Sequence, residues 1–454
     1  MYVQINGLVG ADGILPLVEK LAYIRDAVGL AGVWKFPSLF WLNASDAVLT
    51  GSCLFGVLAA TSVLFDRFTR VNLAICFALY LSIVNAGQDF MTFQWDMLLL
   101  EVGFLAIFLT RGSVIVVFLY RWLLFRFMLL SGVVKLASGD ENWRNLTALR
   151  YHYETQPLPT PLAWYAHQFP LWLQQLSAAG VFFIELVVPF LIFLPGCSRI
   201  FAACCFIVLQ SSIMLTGNYN FFNLLVIILC LFLLQDKDVI GFISPRLSAR
   251  ILGSSPSAGR IAVAVSGGLA VVIFASCAAI FWSMDVEKPL VQPLSSLRRV
   301  SSMLGIVNAY GPFPIMTTRR NEIIIEGSRS GDVWLAYEFK YKPGDLDKPL
   351  RWNIPHQPRL DWQMWFAALR IPYMPYWVDQ LLYKLHQGSP NVTALFKNNP
   401  FPDQPPRYIR LSFYRYRYTA PSVRTSTGQI WTREYLGSYS PSPEFGPSPH
   451  FSPE

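Results

Sequence analysis

The fold is decided by an apolar stretch in the first third of the chain, SVIVVFLYRWLLFRFMLLSGVVK, residues 113–135. A helix of this length crosses the hydrocarbon core of a bilayer, which is about 30 Å thick. Further stretches of the same apolar character lie at 47–65, 71–87, 97–110, 178–195, 200–216, 220–235 and 261–283. The sequence therefore predicts a polytopic α-helical membrane protein with about eight spans.

The composition of the 454-residue chain agrees with a membrane location, since 54% of its residues are hydrophobic and only 14% are charged. A soluble domain has about 25% charged residues. The chain therefore has too little polar surface for an ordinary soluble enzyme, a disordered protein or a small disulfide scaffold. The formal net charge is +8. Many basic residues lie at the ends of apolar runs rather than in one patch, which favours topology-setting loops over nucleic-acid binding.

Basic residues are distributed unevenly between the two sets of loops that alternating spans create. The loops 66–70, 111–112, 196–199 and 236–260 contain Arg67, Arg70, Arg111, Arg199, Lys237, Arg246, Arg250 and Arg260. The loops 88–96, 136–177 and 217–219 contain only Arg144 and Arg150. The positive-inside rule predicts that the first set faces the cytoplasm and the second set the exoplasmic side.

Three N-x-[ST] sequons fall on the predicted exoplasmic side and are candidate glycosylation sites, at Asn43, Asn145 and Asn391. The same topology places residue 1 on the exoplasmic side. Residues 1–16 have the pattern of a loop that is entered from a preceding helix. One further span is therefore expected to be missing at the N-terminus.

The composition changes near residue 283 and divides the chain into three predicted parts. Residues 1–283 form a multi-span transmembrane domain, 284–436 a β-rich exoplasmic domain, and 437–454 a disordered tail rich in Ser and Pro. In the second part, 322–341 predicts a hairpin around a Gly/Ser/Asp turn, and 360–369 a short helix. The period-two run 407–418 alternates Arg and Tyr, which favours a strand with cross-strand aromatic packing over an RNA-stacking surface.

Five ionisable residues lie inside the apolar runs, namely Glu101, Arg121, Arg126, Lys135 and Glu185. A charge inside a bilayer is costly unless it is paired or hydrated, so each is a functional candidate. The two glutamates are the obvious counter-ions of the basic residues. Structural ion pairs are the favoured interpretation, and a lipid-headgroup or substrate site and catalytic chemistry are the alternatives.

The loop 136–177 combines stiff proline segments with aromatic and polar side chains. We predict that it recognises a partner protein, with client-binding candidates Trp143, Arg144, Tyr151, His152, Tyr153, Glu154 and Trp164. His152, Glu154 and His167 could bind a metal or transfer protons, but their spacing is a weak signal. The sequence contains no CxxC pair, P-loop or HExxH motif, so no metal site, cofactor or catalytic residue is predicted.

Several long motifs resemble the lipase maturation factor family, and the resemblance covers nearly the whole chain. They are Trp143–Leu149, Tyr151–Pro159, Thr216–Asn223, Tyr341–Asp345 and Pro355–Leu369, the last being closer to the second member of the family than to the first. The resemblance implies a multi-pass membrane protein, in animals of the endoplasmic reticulum, that helps secreted lipases to fold and assemble. Its partners would be membrane lipids and folding clients such as lipases. The clients would bind to loop 136–177 and the C-terminal domain.

Other functions stay open beside this one. The family has no established catalytic residues, so the chain is more readily a maturation factor than an enzyme. Its distant resemblance to the membrane domain of vitamin K-dependent γ-glutamyl carboxylase implies the alternative of a membrane enzyme acting on lipid or polypeptide substrates. A transporter is disfavoured because no internal repeat is visible. Bacterial sequences of similar pattern exist, and a bacterial source would place this chain in the inner membrane instead.

Overall fold

The computed structural model describes residues 1–109, 113–236, 238, 259–282, 292–371 and 373–439. Within these ranges, the helices long and apolar enough to cross a membrane number six: Asp46–Leu64, Thr69–Ala86, Val114–Ala137, Leu171–Phe193, Cys197–Thr216 and Arg260–Trp282. Two shorter helical segments occupy the other predicted runs, Gln94–Phe108 and Phe222–Leu233. The prediction of a polytopic helical membrane protein is confirmed, and six of its predicted spans have the length to cross a bilayer.

The helix Val114–Ala137 is the centre of the membrane region. Over its most apolar window, 56% of residues are buried inside the protein, against 17% for Asp46–Leu64. It packs against Gln94–Phe108, Phe222–Leu233 and Arg260–Trp282 in one apolar core. This central position explains why a helix with three basic side chains can be stable, because Arg126 and Lys135 are buried in protein and Arg121 is half-buried.

The helix Leu171–Phe193 differs from the prediction in its start and in its middle. It begins at Leu171, directly after Pro170, so residues 171–177 are helical rather than part of the loop. Its middle, Phe183–Val187, is a π-helical turn, and Val188–Phe193 continues as 3₁₀ helix around Pro189. Proline has no N–H to continue the α-helical pattern, and π turns are frequent at functional sites. This turn carries Glu185.

The C-terminal region contains a four-stranded antiparallel sheet of order β2-β1-β3-β4. Its strands are β1 Arg320–Ser328, β2 Leu335–Ala336, β3 Tyr408–Tyr418 and β4 Trp431–Tyr439. The predicted hairpin and long strand are confirmed, although β2 is only two residues long. Tyr414 packs on Tyr435, and Tyr418 on Trp431 with ring centroids 4.3 Å apart. The favoured interpretation of the Arg/Tyr alternation, cross-strand aromatic packing, is therefore confirmed.

Helices cover one face of this sheet and also bury the start of the chain. Arg359–Leu369 and Tyr376–His386 pack on β1 and β3. Ile5 and Leu8 share the same hydrophobic core, so residues 1–16 are an ordered part of this region with a helix at Ile5–Val9. The remaining short helices are Leu17–Val28, Ala31–Lys35, Leu39–Trp41, Gln88–Met91, Glu141–Arg144, Ala148–Thr155, Pro161–His167, Leu294–Met303, Pro390–Thr393 and Pro421–Thr427.

Some predictions fall on residues outside those that the structure describes. They are the tail from 440 onward and, among the topology-setting residues, Arg111, Lys237, Arg246 and Arg250.

Candidate functional site

The three loops predicted to be exoplasmic all contact the C-terminal region at one end of the helices. From loop 217–219, Asn218 Nδ2 donates to Arg351 O at 2.8 Å. From loop 136–177, Thr155 O accepts a hydrogen bond from Trp365 Nε1 at 2.8 Å. Gln363 Nε2 donates to Asp89 O in loop 88–96. We call this assembly the platform, defined as residues 1–41, 88–93, 138–170, 217–221 and 305–439.

Arg320, the first residue of β1, holds loop 136–177 to the sheet. Its guanidinium is fully buried and donates to three backbone carbonyls, those of Glu154 at 2.8 Å, Gln156, and Pro157 at 2.9 Å. It also pairs with Glu322 Oε1 at 2.7 Å, and the second oxygen of Glu322 lies 2.8 Å from Lys342 Nζ. A buried charge is costly unless it is paired and hydrogen-bonded, and these contacts of the two terminal guanidinium nitrogens fix the end of the loop on the sheet.

A second buried pair connects the platform to the membrane region. Arg359 Nη2 lies 2.8 Å from Asp96 Oδ1, and Arg359 Nη1 contacts the other carboxylate oxygen. Tyr80 OH, on the neighbouring helix, donates to Asp96 Oδ1 at 2.6 Å. Sequence reasoning missed both Asp96 and Arg359, because each lies near the end of an apolar run and looks like an ordinary boundary charge.

The predicted intramembrane residues form two separate ion pairs. Arg126 pairs with Glu101, and the second oxygen of Glu101 accepts a hydrogen bond from Tyr310 OH at 2.8 Å. Arg126 also donates to the backbone carbonyl of Asn308, so this pair fixes the segment that leads into the platform. Arg121 is half-buried and donates from Nε to Phe232 O at 2.8 Å, which satisfies a carbonyl at the end of a neighbouring helix.

The other pair, Lys135 with Glu185, lines a cavity. Lys135 Nζ lies 2.9 and 2.8 Å from the two oxygens of Glu185, and 5.3 Å from the centre of the Trp143 ring. The cavity has an empty volume of about 700 Å³ including its mouth, and its walls are mostly apolar. We call it the inner cavity; its polar lining includes Lys135, Glu185, His152, Tyr219 and Asn223.

His152 and Tyr219 are titratable groups of the inner cavity that lie outside the spans. Burial first, and then the positive charge of Lys135, lower the pKa of His152 from 6.5 to about 4. Its Nε2 lies 3.4 Å from Tyr219 OH, and burial raises the pKa of Tyr219 well above its usual value. His152 is therefore neutral near pH 7, and the ion pair is the charged element of the cavity.

The client-binding candidates differ in accessibility. Trp143 and Trp164 are buried, and their indole N–H groups donate to Phe313 O and Thr419 O. Tyr151, His152, Tyr153 and Glu154 are half-buried, and Arg144 is exposed. Glu154 Oε1 accepts a hydrogen bond from Tyr418 N at 2.6 Å, so it too ties the loop to the sheet.

The three sequon asparagines all lie at the platform end of the molecule. Asn43 and Asn145 are exposed, and Asn391 is half-buried. Asn43 stands between the platform and the helix Asp46–Leu64, where its Oδ1 accepts a hydrogen bond from Ser45 N at 2.9 Å.

These features define a class of protein, a helical membrane protein that carries one rigid polar platform fixed to its spans by buried ion pairs. Two family descriptions match it, the lipase maturation factor transmembrane domain over residues 1–240 and the lipase maturation factor C-terminal domain over residues 306–441. The chain belongs to the lipase maturation factor family, and that prediction is confirmed.

Relatives named for this role align along nearly the whole chain. Lipase maturation factor 2 of Xenopus tropicalis is 33% identical over 97% of this chain and 79% of its own length. Human lipase maturation factor 2 is 32% identical over 98% and 80%, and human lipase maturation factor 1 is 34% identical over 97% and 84%. No solved structure gives a significant match.

Proposed function

We propose that this chain is a maturation factor in the endoplasmic reticulum membrane that assists the folding and assembly of secreted lipases. The names of its relatives support this role, since the three relatives described above align over at least 97% of the chain. The single structural observation that carries the proposal is the platform. A folding factor needs a stable surface on which an incomplete client can rest, and the buried pairs make this surface rigid.

The platform would face the lumen, with eight spans beneath it. The loops 88–96, 136–170 and 217–219 all lie at the platform end of the helices, so each helix pair between them would run outward and return. On that pattern Gln94–Phe108 and Phe222–Leu233 would cross as well, giving eight crossings. The charge asymmetry of the loops supports the lumenal side for the platform. The division into 1–283 and 284–436 belongs to the same proposal.

Clients would be met at the outer edge of the sheet and at the exposed part of loop 136–177. Within the described residues, β4 is an edge strand that pairs only with β3. It exposes Tyr435 by 56% and Leu436 by 40%. An exposed edge strand can add an extended segment of another chain through backbone hydrogen bonds, which suits a client that has not finished folding.

Co-expression with a secreted lipase tests this function. In cells that lack their own family members, the chain is expected to raise the secreted lipase activity per molecule of lipase. The variant Tyr435→Lys/Leu436→Lys should reduce that rise and the amount of lipase that co-precipitates, because charged side chains block strand pairing. Tyr373→Lys is the matched control, since Tyr373 is exposed elsewhere on the platform. A wild-type chain that leaves lipase activity unchanged would contradict the proposal.

A membrane enzyme is the second candidate, because the Lys135–Glu185 pair faces the inner cavity next to His152. A buried lysine beside a carboxylate can exchange a proton with a bound substrate when its partner moves. Such an activity would require both charges. If the pair is only structural, function should survive when both residues are replaced by apolar ones.

A further inference from the structure

A second, much more polar cavity opens on the platform, away from the inner cavity. It has an empty volume of about 1400 Å³ including its mouth, and it lies between loop 136–177 and strands β1 and β3. We call it the arginine pocket, because five arginines line it: Arg150, Arg319, Arg320, Arg415 and Arg417. Glu154 is its one acidic lining residue.

Three of these arginines have no counter-ion in the part of the chain that the structure describes. Arg320 pairs with Glu322, and Arg415 with Glu434 at 3.5 Å. Arg150, Arg319 and Arg417 are exposed, and none has a carboxylate within 4.0 Å among the described residues. Glu154 offers little compensation, because its Oε1 accepts a hydrogen bond from Tyr418 N. Like charges gathered in one concave site repel each other and raise the local concentration of anions.

The pocket also contains a buried polar atom that lacks a partner. His167 Nδ1 lines this region and has no hydrogen-bond partner in the described residues. An unsatisfied buried nitrogen costs free energy unless a ligand or water reaches it. The cationic walls point to an acceptor-rich anion, to which this nitrogen donates a hydrogen bond in the tautomer that places the ring proton on Nδ1.

The position of the pocket identifies the kind of anion. Leu171 and Gln174, in the first turn of the helix Leu171–Phe193, belong to its lining, as does Phe169 just before that helix. Phe169 and Leu171 are 49% and 45% exposed, and Trp172 is also exposed. Exposed aromatic and apolar side chains at the first turn of a span are typical of the membrane–water interface. The pocket therefore lies at the level of lipid head groups.

We propose that the arginine pocket binds the phosphate-bearing head group of an anionic phospholipid, while the acyl chains stay beside the helix Leu171–Phe193. Arginine suits this ligand because its planar guanidinium binds phosphate oxygens in pairs. A free phosphate ester would satisfy the same chemistry. This site is independent of the role in lipase maturation.

Lipid binding to the purified full-length chain in detergent tests the proposal. The probe is phosphatidylglycerol, with phosphatidylcholine as the zwitterionic comparison, and native mass spectrometry counts the bound molecules. The variant Arg150→Gln/Arg319→Gln/Arg417→Gln removes the three arginines without ion-pair partners. The control Arg329→Gln/Arg370→Gln/Arg407→Gln removes the same charge at exposed positions outside the pocket.

Wild type and control are expected to retain phosphatidylglycerol in preference to phosphatidylcholine. The pocket variant should bind it roughly tenfold to a hundredfold more weakly. Arg417→Gln alone changes one exposed residue of β3 and should weaken binding of phosphatidylglycerol to an intermediate degree. It replaces the triple variant in this test if that variant does not fold. Equal binding by the pocket and control variants, or no preference for the anionic lipid, would overturn the site. Displacement of the lipid by glycerol phosphate at comparable concentration would show that the pocket binds a free phosphate ester, and would overturn the phospholipid as the ligand.

Discussion

Arg359 and Asp96 are 263 residues apart in sequence, yet they form a buried pair with both guanidinium terminal nitrogens on the two carboxylate oxygens. Arg359 begins a helix of the platform, and Asp96 lies in the first turn of a helix of the membrane region. Arg359 N also donates to Gln4 Oε1 at 2.9 Å, so the N-terminal segment joins the same point. This contact therefore anchors the platform to the spans.

Replacing Arg359 by Met should separate the platform from the spans. The change leaves the carboxylate of Asp96 buried without its counter-charge, a situation that costs about 3–5 kcal/mol. We expect a lower midpoint of thermal unfolding in detergent and faster proteolysis between the two regions. Arg370→Met is the control, because Arg370 is exposed at the end of the same helix and its loss should change stability by less than about 0.5 kcal/mol. Equal stability of the two variants would contradict the anchoring role.

Replacing Arg320 by Ala should release the end of loop 136–177. Three backbone carbonyls would lose their donor, at roughly 1 kcal/mol or more each. Hydrogen exchange of the amides of residues 154–156 should then accelerate by about tenfold or more, as expected for local opening. Arg319→Ala is the matched control, since Arg319 is the exposed neighbour of Arg320 and makes no such contacts in the described structure. Unchanged exchange in the Arg320 variant would show that other contacts hold the loop.

Sequence patterns predicted the membrane region far better than the contacts that fix the platform to it. The apolar run 113–135 has the length and apolar composition expected of a spanning helix. By contrast, the sequence does not predict the start of the helix at Leu171, because the polar pair Gln174-Gln175 interrupts the apolar pattern of its first two turns. The sequence predicts that Glu101 and Glu185 are counter-ions, but the basic residue that pairs with each one depends on how the helices pack. Partners such as Asp96 and Arg359 depend on long-range packing, which no local pattern encodes.

The stability of the chain should depend on pH through His152. The unfolded chain takes up a proton near pH 6.5, whereas the folded chain does so only near pH 4, because burial and Lys135 lower the pKa of His152. Between these pH values the unfolded chain binds the proton more tightly than the folded chain. The free energy of unfolding is therefore highest above pH 6.5 and decreases as the pH falls toward 4. His152→Gln should therefore reduce the loss of stability between pH 7 and pH 4.5 by roughly 2 kcal/mol. Unfolding midpoints of both proteins at the two pH values measure the difference, and parallel losses would contradict it.

The proposed orientation predicts which side of the membrane receives glycans. Asn145 is exposed in loop 136–177 and should be glycosylated when the chain is made in animal cells. Endoglycosidase treatment should then increase its gel mobility, and Asn145→Gln should remove that part of the shift. A sequon engineered into loop 66–70 should stay unmodified. Modification of loop 66–70, or cytosolic labelling of a cysteine placed at position 150, would reverse the orientation.

Removing both charges of the inner cavity decides between a structural pair and a catalytic one. Lys135→Met alone leaves Glu185 buried without a partner and should destabilise the chain by about 3–5 kcal/mol. The double variant Lys135→Met/Glu185→Leu replaces the pair by apolar side chains of similar volume and should recover most of that loss. If the pair is structural, the double variant should also support lipase maturation at close to the wild-type level. A double variant that is as stable as wild type, yet inactive, would instead favour chemistry in the inner cavity.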